Sequence, residues 1–206
     1  MGTRPRRILQ VIAVTGGPGG GKTELLRAIA SDAALAPVAS LSEEAIHGMR
    51  FVRMSPRAAE FQCALVAIQA ATEDSVMRAL AGSGKQVLLS HRGTLDPCAF
   101  WQSFGNSRES FFEMTVTTLE DHYRRYDMVI HMESAAVRVP EAYLRHPAAH
   151  RPEDVAQAAL LDRYLAELWG GHPRYVKIEG MPDFEEKMAR GMGVIRGFVG
   201  AMRWES

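Results

Sequence analysis

Gly16-Gly17-Pro18-Gly19-Gly20-Gly21-Lys22-Thr23 follows an apolar run from Ile8 to Val14. The spacing is that of a phosphate-binding loop, and it decides the fold. A buried strand delivers the chain into a glycine-rich turn whose N–H groups surround an anion. The helix that opens near Lys22 points its positive end at the same place. Gly17, Pro18, Gly19, Gly20 and Gly21 form the cradle, Lys22 neutralises the beta and gamma phosphates, and the Thr23 hydroxyl is a magnesium ligand. A nucleoside triphosphate, ATP with Mg2+, is the first ligand to expect.

Working outward, apolar runs alternate with helical periodicity. A strand over Ile8 to Thr15 feeds a helix through Leu25, Leu26 and Ile29. A weaker strand over Pro37 to Leu41 precedes a helical stretch from Ser42 to Met54. Pro56 opens a longer helix carrying Phe61, Leu65, Ile68, Met77 and Leu80, and Gly82-Ser83-Gly84 breaks it. Gln86 to Ser90 reads as a buried parallel strand. Helices are expected over Asp96 to Phe104 and Arg108 to Tyr126, then a strand over Asp127 to Met132. Val155, Ala158, Leu161, Leu165 and Leu168 mark another helix, Tyr175 to Ile178 the final strand, and Phe184, Met188, Ile195, Phe198 and Met202 the closing helix. The pattern predicts an α/β P-loop NTPase fold, a parallel β-sheet flanked by helices on both sides. One domain over 1–206 is expected, with 133–152 as a mobile lid, because that stretch has prolines, histidines and arginines without a core period.

The chain has 206 residues, enough for one sizeable core, and 24 basic residues balance 24 acidic ones. Neither a basic stripe nor an aromatic–basic alternation is present, so nucleic acid is not expected as a partner. Cys63 and Cys98 are far apart and read as packed, reduced thiols. No long uninterrupted apolar segment suggests a transmembrane span, and a cytoplasmic location is the expectation.

In an open parallel sheet, ligands bind beyond the carboxyl ends of the strands. Glu43 and Glu44 follow the second strand there. Ser40-Leu41-Ser42-Glu43 has capping-box spacing, which would engage Glu43 and leave Glu44 freer. Glu44 either positions an acceptor hydroxyl and takes its proton, or is an exposed acid at a helix start. Gln62 and Gln69, seven positions apart, lie on one side of the third helix, where their amides would read a polar acceptor. Arg92, just past the buried strand, is a candidate anion clamp, and Asp96 a candidate acid at the cleft or a stabiliser of its helix start. His91 reads as a structural or water-binding group, a catalytic base being the alternative. In the lid, Arg151 is the best placed arginine to meet charge that develops during phosphoryl transfer, a solvated loop being the alternative.

Taken together, Thr15 to Thr23, Glu44-Ala45, Phe61-Gln62, Arg92-Gly93-Thr94-Leu95-Asp96 and Tyr126-Asp127 resemble the AAA-like P-loop family related to the nicotinamide riboside kinase domain of NadR. Arg151-Pro152-Glu153, Asp162, Trp169, Gly171-His172-Pro173 and Phe184-Glu185-Glu186-Lys187 look like its C-terminal half. The resemblance implies a kinase-like core rather than a ring-forming mechanical ATPase. It implies a small-molecule acceptor, nucleoside-like in related kinases, with Glu44 near the acceptor and Gln62 reading it. Lys22, Glu44, Arg92 and Arg151 are then the catalytic set, and Glu44, Gln62, Arg92 and Asp96 the substrate-binding set. An animal branch of the family looks like a GTP- and phosphoinositide-binding trafficking factor. That implies the alternative, a nucleotide-dependent switch with a protein or lipid-headgroup partner. His91 departs from the family, which carries an aspartate before Arg-Gly to support magnesium and its waters.

Overall fold

The computed structural model describes residues 9–43, 45–47, 49, 54–145 and 153–203. Its centre is a five-stranded parallel sheet of β1 (Gln10–Thr15), β2 (Ala39–Ser42), β3 (Val87–His91), β4 (Met128–Met132) and β5 (Tyr175–Ile178), in the order β2-β3-β1-β4-β5. β1 is the middle strand, with Val11 opposite Leu88 on one side and Ala13 opposite Val129 on the other. No strand separates β1 from β3, so the turn after β3 lies beside the glycine-rich loop after β1.

The side chains of β1 alternate between two cores, as the period of a strand requires. Ile12 and Val14 join Leu25 and Ile29 of α1 (Lys22–Ser31) and Met188, Met192 and Ile195 of α9 (Phe184–Arg203) on one face. Val11 and Ala13 join the other core, which takes Val66 of α2 (Ala59–Ala79), Cys98 and Ala99 of α3 (Asp96–Ser103), Phe111 of α4 (Arg108–Thr115), and Leu165 and Trp169 of α8 (Val155–Trp169). Burial on both faces explains the near-continuous apolar strands. Cys98 lies in that second core, where burial pushes its thiol up to about 12.

Three local expectations change. The helix foreseen over Arg108 to Tyr126 is two helices, α4 and α5 (Leu119–Tyr123). Val116 takes a left-handed φ of 53°, and Thr118 starts the second helix with a capping box to Asp121. The stretch from Ser42 to Met54 contains, among its described residues, one 3-10 turn at Ala45–His47. The Ser40 capping box does not form there, because Ser40 is inside β2 and pairs with β3. In the expected lid, the described part forms α6 (Ala135–Arg138) and α7 (Pro140–Arg145), with Val139 and Tyr143 buried.

Candidate functional site

The glycine-rich loop leaves β1 and is closed by contacts that no neighbour in sequence supplies. A Cβ on Gly16 would lie 2.1 Å from the Met132 carbonyl oxygen, and one on Gly20 would lie 2.2 Å from it. Only glycine fits where the loop passes so near β4. Gly21 precedes α1 with a φ of 87° and no side chain caps the helix. The start of α1 thus lacks a side-chain cap, at the helix end whose dipole favours an anion. The Lys22 ammonium lies across the loop, donating to Gly16 O at 2.8 Å and Gly17 O at 2.9 Å.

Two charged residues brace this loop from behind, and neither was given a role from the sequence. Asp162 of α8 accepts from the N–H groups of Gly17 and Ser134, both at 2.8 Å, and faces His131 Nε2 at 3.1 Å. Burial opposes its charge, but the His131, Gly17 and Ser134 hydrogen bonds outweigh that and hold the carboxyl below its usual value. Lys187 of α9 donates to Gly20 O at 2.8 Å and Glu133 O at 2.6 Å, tying the loop to the end of β4. Burial lowers its ammonium to about 8. A faint signal for Asp162 was present. It is the acid in an otherwise apolar series Ala158, Asp162, Leu165 and Trp169 at helical spacing.

Loop and acceptor-side residues line one cavity of about 1620 Å³. Pro18 to Thr23 form one part, and Ser42, Glu43, Phe61, Gln62, His91, Arg92 and Asp96 another. Phe100 and Phe104 add aromatic wall, with the Arg92 guanidinium 5.3 Å from the Phe100 ring centre and Arg57 4.7 Å from that of Phe104. Such a volume exceeds the roughly 300–1,000 Å³ usual for one small ligand.

The foreseen residues meet differing fates. Gln62 is 1% exposed, and its amide nitrogen donates to Pro56 O. Among the described residues its Oε1 is buried without a hydrogen-bond partner, as is Ser42 Oγ at the end of β2. Both residues line the cavity, so polar capacity is left over on its β2 side. Gln69 has none to spare. Its Oε1 accepts from Ala45 N–H at 3.1 Å, and its nitrogen donates to Glu73 Oε1 at 3.0 Å and Ser90 Oγ at 2.7 Å. The expected reading of an acceptor by Gln69 gives way to a structural duty.

Asp96 is 1% exposed and is claimed by the protein itself. Thr15 Oγ1 and Trp169 Nε1 donate to it at 2.8 Å each, with Gly93 N–H and Arg92 Nη1 more distant at 3.4 Å. Its carboxylate locks the turn after β3 to β1 and α8. Arg92 sits in that turn with a left-handed φ of 70°, a conformation a non-glycine residue holds only where its surroundings impose it. His91 is buried at the end of β3 and borders the cavity. Glu44 and Arg151 lie outside the described residues.

Among the described residues no group of three or more His, Cys, Asp or Glu side chains is placed to hold a metal ion. Magnesium needs no such cage, since it commonly enters on substrate phosphates with one or two protein oxygens. Thr23, at the cavity wall, is a hydroxyl of that kind. No helix among the described residues is long and apolar enough to cross a membrane.

Residues 11–187 match a family model described as AAA domain. No curated protein matches the chain significantly.

Proposed function

The chain belongs to the AAA domain family, a P-loop family of nucleotide-binding proteins, and on that premise we propose that it is an ATP-dependent phosphotransferase acting on a hydroxyl group of a small, nucleoside-like metabolite. The observation that carries this reading is the shared cavity. The phosphate loop and the unpartnered Gln62 Oε1 and Ser42 Oγ belong to residues of one space. The sequence resemblance to a P-loop family related to the nicotinamide riboside kinase domain of NadR supports the same class of acceptor.

In this reading Gly17 to Gly21 and the first N–H groups of α1 bind the phosphate oxygens, and Lys22 swings from the loop carbonyls onto the beta and gamma phosphates. Magnesium, bound with the triphosphate, would supply charge neutralisation, and Thr23 would hold it. Glu44 orients the acceptor hydroxyl and takes its proton as the acceptor oxygen bonds to the gamma phosphorus. The bond from that phosphorus to the beta–gamma bridging oxygen breaks, and ADP leaves. Arg92, with Arg151 from the lid segment 133–152, stabilises the transferred charge. Gln62 fixes the acceptor by accepting a hydrogen bond at its Oε1, while one of its N–H groups holds Pro56 O.

Incubation with magnesium-ATP and a panel of hydroxyl metabolites, nucleosides first, tests the reading. The expected result is acceptor-dependent ADP with an equal amount of phosphorylated product by mass spectrometry. ATP binding without product across the panel overturns it.

A second reading, a nucleotide-dependent switch with little turnover, is favoured by one observation. His91 stands where an acid would support magnesium, and the nearby Asp96 carboxylate is engaged by Thr15 and Trp169. Nucleotide-dependent capture of a protein or phosphoinositide partner without turnover distinguishes it.

A further inference from the structure

We infer that Glu73, on α2 behind the sheet, is a positioning residue that holds in register the two segments flanking the acceptor side of the cleft. This rests on the reading of that side as the place where an acceptor binds. Glu73 is 1% exposed and receives donors from α2, from β3 and from the connection between α5 and β4. Its Oε1 accepts from Gln69 Nε2 at 3.0 Å, Ser90 Oγ at 2.6 Å and Tyr126 OH at 2.8 Å, and its Oε2 accepts from Arg125 Nε and Nη2 at 3.1 Å each. Arg125 is also paired with Asp74 at 2.7 Å.

Two arms run forward from this carboxylate. One passes through Gln69, whose Oε1 receives the Ala45 N–H immediately after the acidic pair Glu43-Glu44. The other passes through Tyr126, whose hydroxyl receives the Thr94 N–H at 2.7 Å, inside the turn that carries Arg92 and Asp96. Donor directions fix the arrangement. Tyr126 accepts from Thr94 and so must donate to Glu73, while Gln69 accepts from Ala45 and so turns its nitrogen to Glu73. Only an acceptor-only group, a carboxylate, satisfies both arms and Arg125 together. Burial in an arrangement this fully satisfied gives each arm one conformation. Glu73 does not itself line the cavity, whereas Gln69 does, so its effect on chemistry is exerted through these segments.

Three variants separate the arms: Tyr126→Phe, Gln69→Met and Glu73→Gln, the last placing an amide against the Arg125 guanidinium. Hydrogen exchange at the Ala45 and Thr94 amides is the primary readout and does not depend on turnover. Tyr126→Phe is expected to speed exchange at Thr94 by about tenfold or more and leave Ala45 unchanged, and Gln69→Met to do the reverse. Glu73→Gln is expected to speed both. With magnesium-ATP and a nucleoside acceptor as the probe, each variant should keep the KM for ATP while kcat for ADP formation falls by about tenfold, because the phosphate loop is untouched. If Glu73→Gln folds poorly, the two single-arm variants still decide. Unchanged exchange at both amides, a uniform rise that includes the β1 amides, or freed amides with unchanged kcat each overturn the inference.

Discussion

The carboxylate Oδ1 of Asp162 stands 2.8 Å from the backbone N–H of Gly17, so the phosphate loop is held from behind by a helix 145 positions further along the chain. Asp162→Ala strands the Gly17 and Ser134 N–H groups in a buried site and is expected to cost about 3 kcal/mol. Asp162→Asn retains an acceptor oxygen and should cost less than half as much. Urea unfolding of the two variants checks this, and equal losses would mean that charge rather than acceptance matters. Nucleotide affinity, by calorimetry, should follow the same order.

Gly20→Ala places a methyl group against the Met132 carbonyl, a backbone atom that cannot step aside. A stability loss of about 3 kcal/mol is expected, with loss of measurable ATP binding. Wild-type affinity in the variant would show that the loop relaxes away from β4.

Lys22→Met removes the cation that spans the loop at Gly16 and Gly17. Affinity for ATP should fall by roughly tenfold or more, since charge-assisted bonds to phosphate are the strong ones. Adenosine, which lacks phosphates, should bind the variant and the wild type equally, and a difference would relocate the role of Lys22.

His122 predicts an acid limb of stability. Burial lowers its imidazole from the ordinary 6.5 to about 4, between Thr94 Oγ1 at 2.9 Å and Thr117 Oγ1 at 3.0 Å. The folded state therefore binds fewer protons than the unfolded chain between those values. Stability is fully present above pH 6.5 and declines as pH falls towards 4, by roughly 3 kcal/mol. His122→Gln should flatten that part of the unfolding free energy against pH. An unchanged slope would assign it elsewhere.

Lys187 acts with the same sign in the alkaline range. Burial lowers its ammonium from 10.5 to about 8, so the unfolded chain binds the extra proton above pH 8. Stability attributable to this group rises between pH 8 and about 10, as the buried charge is shed. The difference in unfolding free energy between wild type and Lys187→Met should change by roughly 3 kcal/mol across that window. A constant difference would show that the carbonyls of Gly20 and Glu133 fully compensate its burial.

The legible part of the fold followed from short-range physics. Val11 to Val14 and Val87 to Leu89 are apolar on both faces, and that pattern identifies central parallel strands. Boundaries failed where one residue departs from the regular backbone. Val116 breaks the helix foreseen to Tyr126 by adopting a conformation its type disfavours, and no composition rule marks it. In the site, Gln62 and Gln69 share one helix face by their spacing, and the family resemblance assigned a role to Gln62 alone. The structure separates them, since Gln69 meets Ala45, Ser90 and Glu73 and Gln62 keeps an unpartnered oxygen.

By itself the sequence determined the phosphate loop and the parallel sheet that carries it. A strand, glycines at fixed spacing, lysine and threonine act on neighbours a few residues away, and their order is their geometry. Tertiary structure alone decided what holds the loop and which acids remain for chemistry. Asp96 is engaged by Thr15 and Trp169, 81 and 73 positions distant, and the loop by Asp162 and Lys187. The reason is physical. A buried carboxylate is satisfied by whichever donors folding brings to it, and those donors have no fixed distance in the chain.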